Sequence, residues 1–340
     1  DSITGEGGHD SLIGLDGDDT LNGGLGNDYL DGGEGNDNLR DEYGSNSIVG
    51  GVGADYIQIS GSDSYIDGGS VNGNSAFAAG GEGNDQIYFG SLQNQATIIG
   101  GDSDDYIRQQ GFNSQRNYVK EVSIYADGLS GESVNDGNDN ISINDGQIAK
   151  IYAGGGDDTV GVNEFAGATI DGGTGNDHLR LYVSERPTQD AAVGNYNYLV
   201  SGGTGQDKLT FSYYYSWYRN ISQYPYSVVV DGGSDNDVLS TESADNQTTN
   251  HYYYVPKLIF KGGEGDDELK VTYHTQHITL EGGEGSDTFH ITKVNLFNKE
   301  YWSTHRGITD TSFIISDFEV GVGGDFLDIS ALLPALTNNY

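Results

Sequence analysis

The residues best placed to do chemistry are aspartates, and they come at a fixed interval. Asp10, Asp19, Asp28 and Asp37 follow one another every nine residues, and Asn46 holds that register to Asp55. Around each lies a unit G-G-x-G-x-D-x-(apolar)-x. Gly23-Gly24-Leu25-Gly26-Asn27-Asp28-Tyr29-Leu30 aligns with Gly32-Gly33-Glu34-Gly35-Asn36-Asp37-Asn38-Leu39. The unit returns around Asp85, Asp105, Asp139, Asp158, Asp177, Asp207, Asp237, Asp267 and Asp287. Paired glycines reach positive φ and leave their carbonyl oxygens unshielded. Those carbonyls and the aspartate carboxylates are hard oxygen ligands in a tight turn, which suits Ca²⁺ and its roughly six to eight oxygens. The expected ligands are the fourteen aspartates just named, Asn46, and the turn glycines Gly24, Gly26, Gly33, Gly35, Gly51, Gly53, Gly81, Gly83, Gly173, Gly175, Gly203, Gly205, Gly263, Gly265, Gly283 and Gly285.

Such turns need elements that bring them together. The apolar residue two places after each Asp heads a short inward-pointing strand. Two nonads then make one coil of 18 residues, which stacks Asp10, Asp28 and Asn46 on one edge and Asp19, Asp37 and Asp55 on the other. Each ion can be shared between consecutive turns, which cancels the repulsion of stacked carboxylates. After Asp55 the spacing becomes 30, 20, 34, 19, 19, 30, 30, 30 and 20. Apolar triplets still precede the glycine pairs, as in Thr97-Ile98-Ile99, Tyr198-Leu199-Val200 and Val228-Val229-Val230. Each coil therefore keeps two strands while its far edge is remodelled. The expected organisation is a regular two-edge roll over residues 1–57, a wider right-handed solenoid with one calcium edge and inserted arms over 58–290, and a closing segment over 291–340. Coils stacked at strand spacing bury a narrow aliphatic core. Some turns depart from the unit: Gly68-Gly69 and Asp127-Gly128 are each followed by an insertion before Asp85 and Asp139, and Asp235 and Ser103 stand where the third glycine of the unit is expected.

The repeat resembles that of the RTX (repeats-in-toxin) family, whose nonapeptide has this pattern. The resemblance implies an all-β fold, a parallel β-roll stacked on several Ca²⁺ ions, disordered without the metal and folded outside the cell. Phe313-Ile314-Ile315-Ser316-Asp317-Phe318 and Asp325-Phe326-Leu327-Asp328-Ile329-Ser330 are similar to the segment that closes many such rolls ahead of an uncleaved type I secretion signal. A plain cap over the last apolar coil is an equally good account.

Composition narrows the function. Fifteen basic residues face 52 acidic ones, a net charge of −37, and only 34% of residues are hydrophobic. Such a chain repels itself in plain water. It has no basic patch for nucleic acid or an anionic membrane surface, and no apolar run of the roughly 20 residues a membrane span needs. With no Cys there is neither disulfide nor thiolate chemistry. With no Met, the chain is expected to be a trimmed or processed piece without a visible signal peptide. No enzyme is expected, since the seven histidines are scattered and neither HExxH, G-x-S-x-G nor a Walker motif occurs. The remaining signal is aromatic. Tyr196 and Tyr198, then Tyr213-Tyr214-Tyr215, Trp217, Tyr218, Tyr224 and Tyr226, then Tyr252-Tyr253-Tyr254 recur in three successive 30-residue coils. Tyr has an apolar body and a polar tip and favours interfaces and sugar-binding faces, although such arms also pack internally. The expectation is a secreted, cell-surface structural protein (adhesin, S-layer or filament component) that associates with itself or a surface or glycan partner. The alternative is the C-terminal secretion and folding module of an exported RTX toxin or hydrolase. Ice binding needs a regular Thr/Asn ladder, and the coil lengths argue against one.

Overall fold

The computed structural model describes residues 1–41, 44, 46–59, 75–89, 95–109, 119–127, 137–184, 197–214, 227–243, 257–272, 277–292, 312–321 and 323–329. Among them the chain is all-β, with parallel strand pairing throughout and no helix able to cross a membrane. Two compact units form, one from Asp1–Gly175 and one from Asn176–Glu185 and Ala192–Tyr340.

In the first unit every coil contributes two short strands, and each strand pairs with its counterpart one coil on. One row runs Ser2–Thr4, Thr20–Asn22, Asn38–Asp41, Tyr56–Ile59, Gln86–Phe89 and Tyr106–Gln109. The other runs Ser11–Asp16, Tyr29–Glu34, Ser47–Val52, Ser75–Glu82, Gln95–Asp102 and Val119–Tyr125. Both rows continue into the long strands Asn140–Gly155 and Thr159–Thr174. Pairing passes through residue 57 without a break, because Tyr56–Ile59 joins Asn38–Asp41 to Gln86–Phe89.

Strand alternation puts every second side chain inside. Register then stacks like on like: Leu21, Leu39, Ile57, Ile87, Ile107 and Ile141 form one internal ladder. Leu12, Leu30, Ile48, Ala78, Ile98, Ile124, Ile151 and Ile170 form the other. Both ladders are buried, so the inner sides of the two rows close on each other. Burying each such Leu or Ile contributes about 1.5–3 kcal/mol. The 16-residue strands need no arm at the far edge. They bend there at Asp145 and Glu164, which carry φ of 65° and 58°, and Asn163 Nδ2 donates to Asn144 Oδ1 at 2.9 Å.

The second unit repeats the plan. His178–Ser184, Lys208–Tyr214, Val238–Ser243, Glu268–Val271, Thr288–Ile291 and Phe326–Asp328 make one row. Tyr198–Thr204, Ser227–Ser234, Lys257–Glu264, His277–Glu284 and Ser312–Ile315 make the other. Ser312–Ile315 and Phe326–Asp328 thus build one further coil out of a stretch whose sequence carries no repeat. His290 stands beside this coil, 2.8 Å from Glu268 and 3.1 Å from Asp328.

One aromatic reading changes here. Tyr198 belongs to the core, in line with Val228 and Leu258, and is not part of an outward arm. Parity decides this: Tyr198 and Val200 face in, and Leu199 between them faces out. Tyr196, Tyr215, Trp217, Tyr218, Tyr224, Tyr226, Tyr252, Tyr253 and Tyr254 lie outside the described residues. Tyr213 and Tyr214 are described only as strand backbone.

Candidate metal centres

In the regular repeats the turn has six residues ending in the aspartate, and its backbone alternates. The second and fourth positions lie at positive φ, as in Gly33 (109°) and Gly35 (136°). Glycine is required there twice over. A Cβ at Gly53 would also collide with the Gly35 carbonyl oxygen of the preceding coil. At the fourth position Ser103 (85°) and Asp235 (78°) keep the conformation without being glycine. The turn glycines expected as ligands, from Gly24 and Gly26 through Gly283 and Gly285, all occupy these positive-φ positions.

The aspartate closes the turn, and its two oxygens have different tasks. Oδ1 accepts the backbone N–H of the corresponding aspartate one coil earlier. Asp10 thus donates to Asp28, Asp19 to Asp37, Asp37 to Asp55, Asp55 to Asp85, Asp85 to Asp105, Asp105 to Asp139 and Asp139 to Asp158, all at 2.7–2.8 Å. The second unit has the same ladder through Asp177, Asp207, Asp237, Asp267 and Asp287. Asp10, Asp28 and Asn46 make a shorter row on the opposite edge, where the Asp28 N–H donates to Asn46 Oδ1 at 2.9 Å.

Oδ2 points the other way, into the space above the first glycine of its turn. In Asp10, Asp19, Asp28, Asp37, Asp55, Asp85, Asp105, Asp139, Asp207, Asp237, Asp267 and Asp287 it is buried with no hydrogen-bond partner. A Cβ placed on Gly5 would lie 2.6 Å from Asp10 Oδ2 and 2.5 Å from the carbonyl oxygen of Gly23 one coil on. The same two kinds of oxygen converge over Gly32, Gly50, Gly80, Gly202, Gly232 and Gly262. These are small, oxygen-lined spaces that only an unsubstituted glycine leaves open.

Burying a carboxylate away from water disfavours its charge. Burial raises Asp85, Asp139, Asp207 and Asp267 to about 7, Asp237 to about 8 and Asp105 to about 9. The ladder hydrogen bond opposes the rise in each, and neighbouring aspartates add to it. A row of buried, mutually repelling carboxylate oxygens facing carbonyl oxygens calls for cations between the coils. Among the described residues no three His, Asp or Glu side chains converge on one point, so backbone oxygens must complete any ion's shell. Hard, oxygen-only donors of this kind fit Ca²⁺.

Four further aspartates take part that the nonapeptide spacing does not reveal. Asp325 extends the ladder, accepting the Asp287 N–H at 3.0 Å from 38 residues away. Asp317 accepts the N–H groups of Gly282 and Gly283, each at 3.0 Å. Asp127 takes a second-glycine position. It accepts from Gly155 at 2.5 Å and from Gly137 at 3.3 Å. Asp41 takes a first-glycine position, and its Oδ2 reaches the space over Gly23. The first two close no G-G-x-G-x-D unit. The last two were legible only as glycine-to-aspartate exchanges.

The model of the RTX calcium-binding nonapeptide repeat (4 copies) matches residues 1–30, 31–61, 77–95 and 167–181. Comparisons with curated proteins and with solved structures gave no match.

Proposed function

Because the chain belongs to the RTX calcium-binding repeat proteins, we propose that it is an extracellular structural protein which folds on Ca²⁺ after export and assembles at the cell surface. RTX repeats bind several Ca²⁺ ions, and proteins that carry them are generally secreted. The observation that carries the reading is the row, in each unit, of buried aspartate Oδ2 atoms, among them those of Asp37, Asp55, Asp85, Asp207, Asp237 and Asp267, without hydrogen-bond partners. Carboxylates buried and stacked coil on coil repel one another unless cations lie between them. Calcium, scarce in the cytosol and abundant outside, therefore decides where the chain folds. Asp19, Asp37, Asp55 and their counterparts through Asp287, with the glycine carbonyls opposite them, serve as the ligands in this reading.

A structural role needs a surface for partners, and the first unit offers one. On the row that begins at Ser2–Thr4, the outward side chains ahead of the bends at Asp145 and Glu164 are Ser, Thr, Asn, Gln, Tyr and Arg, with Gly161, and none is acidic. In a chain of net charge −37 that is a marked exception. Its centre is an aromatic zigzag, Tyr56–Tyr88–Tyr106, with ring centroids 5.4 and 5.8 Å apart. Arg40 and Arg108 flank it, both exposed, and Arg108 donates to the Tyr106 hydroxyl at 3.3 Å. Tyr and Arg are the residues enriched at protein interfaces. Such a face is complementary to the acidic surface of a second copy. A contact between two different patches propagates into open arrays instead of closing into a dimer.

Sedimentation velocity on the chain in EGTA and in millimolar Ca²⁺ tests this. Larger species that appear only with calcium support the structural reading. A calcium-folded chain that stays monomeric at high concentration favours a secretion and folding module instead.

A further inference from the structure

We propose that the short edge row of Asp10, Asp28 and Asn46 ends in a cation site with two carboxylates, Asp28 and Asp41, of which Asp41 lies outside the repeat's own ligand pattern. The inference rests on the calcium reading of the turns and adds a ligand to it.

In an ordinary turn the first glycine faces one carboxylate and one neutral oxygen. Over Gly5 these are Asp10 Oδ2 and the Gly23 carbonyl, and over Gly50 they are Asp55 Oδ2 and the Gly80 carbonyl at 2.5 Å. At Gly23 the next coil supplies Asp41 where the pattern has glycine. A Cβ on Gly23 would strike Asp41 Oδ2 and lie 2.7 Å from Asp28 Oδ2. A charged oxygen has thus entered the space that elsewhere a neutral one borders. Asp41 is 0% exposed and Asp28 3%, and Asp28 Oδ2 has no hydrogen-bond partner. Two buried carboxylates aimed at one point repel strongly in a low-dielectric interior unless a cation lies between them.

The partner exchange in the same turn completes the picture. Position 46, where the pattern has aspartate, is asparagine. Its single side-chain oxygen already accepts the Asp28 N–H, and an amide has no second oxygen to offer an ion. The negative charge of turn 41–46 has therefore moved from its last residue to its first, one site back along the row. Asn46 ends the row, and Asp41 gives the last site a second carboxylate. Affinity for a divalent, oxygen-seeking cation rises with the number of charged ligands.

Hydrogen exchange with mass spectrometry on the full chain, titrated with Ca²⁺ from EGTA, reads this site locally. Peptides covering 20–34 report it, and peptides covering 198–214 and 227–243 serve as controls. Asp41→Asn should raise the Ca²⁺ concentration at half-protection of 20–34 by about tenfold or more, with the controls unmoved. Full protection should return at saturating Ca²⁺, as mass action demands of a lost ligand. Asp41→Gly, which installs the repeat's own residue and fits the turn, should show the same rise. A midpoint for 20–34 within about twofold of wild type in either variant overturns the proposal, as does protection that saturating Ca²⁺ fails to restore. If no peptide anywhere gains protection with Ca²⁺, the calcium reading itself fails, which is a distinct result.

Discussion

Asp237 carries two opposed demands on one side chain. Its Oδ1 needs to be a good acceptor for the Asp207 N–H at 2.8 Å, while its Oδ2 is buried with no proton donor to answer it. Burial raises the carboxyl to about 8, and the nearby Asp207, Asp267 and Asp235 charges add to that rise. Without metal, these groups take up protons on folding, because their folded pKa values lie above the ordinary 3.8. Their contribution to the metal-free fold is complete near pH 4 and is lost as pH rises through about 7 to 9. Calcium reverses the dependence, since it must displace those protons. In EGTA, circular dichroism should show more β-structure at pH 5 than at pH 8. In calcium titrations the midpoint should fall to lower Ca²⁺ between pH 6 and pH 8. A midpoint that does not move over that interval would show that the buried carboxylates are ionised before calcium arrives. Backbone strain makes a second test at this scale. Ser103 holds φ of 85° where the pattern has glycine. Ser103→Gly relieves a penalty of about 1–2 kcal/mol but loosens the unfolded chain, for a net gain of about 0.5–1 kcal/mol in urea unfolding with excess Ca²⁺. The ladder up to Asp287 could be read from the glycine units that its aspartates close. Asp325 could not, because no G-G-x-G-x-D unit leads up to it, and only strand register returns it to the row.

A coil is held by its two neighbours and by little else. Leu39 stacks between Leu21 and Ile57 and is fully buried, so its loss is felt in two interfaces at once. Leu39→Ala should cost about 2–5 kcal/mol in denaturant unfolding with saturating Ca²⁺. A cost under about 1 kcal/mol would mean the aliphatic ladder is incidental beside the ions. Nearest-neighbour stacking also explains which elements the sequence announces. The strand after each aspartate is legible because the nine-residue unit contains its apolar residue, as in Asp37-Asn38-Leu39. The strand before each glycine pair is legible from triplets such as Val228-Val229-Val230. Orientation within a triplet is less so. Aromatic character suggested an outward Tyr198, yet pairing with Val228 fixes its parity and turns it inward. The closing coil at Ser312–Ile315 and Phe326–Asp328 is illegible for a third reason: it copies the pairing of the repeats without their G-G-x-G-x-D unit.

At the scale of the whole molecule, charge governs both folding and association. A chain with 52 acidic and 15 basic residues resists meeting its own copies. Bound Ca²⁺ lowers that repulsion where the carboxylates are buried, along the turns. It does not alter the outer face of Tyr56, Tyr88, Tyr106, Arg40 and Arg108, whose effect depends on strands that pair only once the coils have formed. Lowered repulsion and a formed basic-aromatic face therefore arise together, and only where calcium is plentiful. In the proposed assembly the face would meet acidic surface elsewhere on a second copy, so that each added molecule would leave a fresh face exposed and growth would continue. Charge reversal tests this most sharply. Arg40→Glu with Arg108→Glu should leave the calcium-induced β signal intact, since both side chains are exposed and take no part in the core. It should abolish the calcium-dependent larger species seen by sedimentation velocity. Raised salt should weaken wild-type assembly in the same direction, as screening over about 8–10 Å does to exposed charges. Changing Tyr56, Tyr88 and Tyr106 to Ser should remove assembly even at low salt, because the aromatic zigzag supplies the apolar area that the arginines only orient. If the double arginine variant assembles as wild type does, the acid-free face is not the contact.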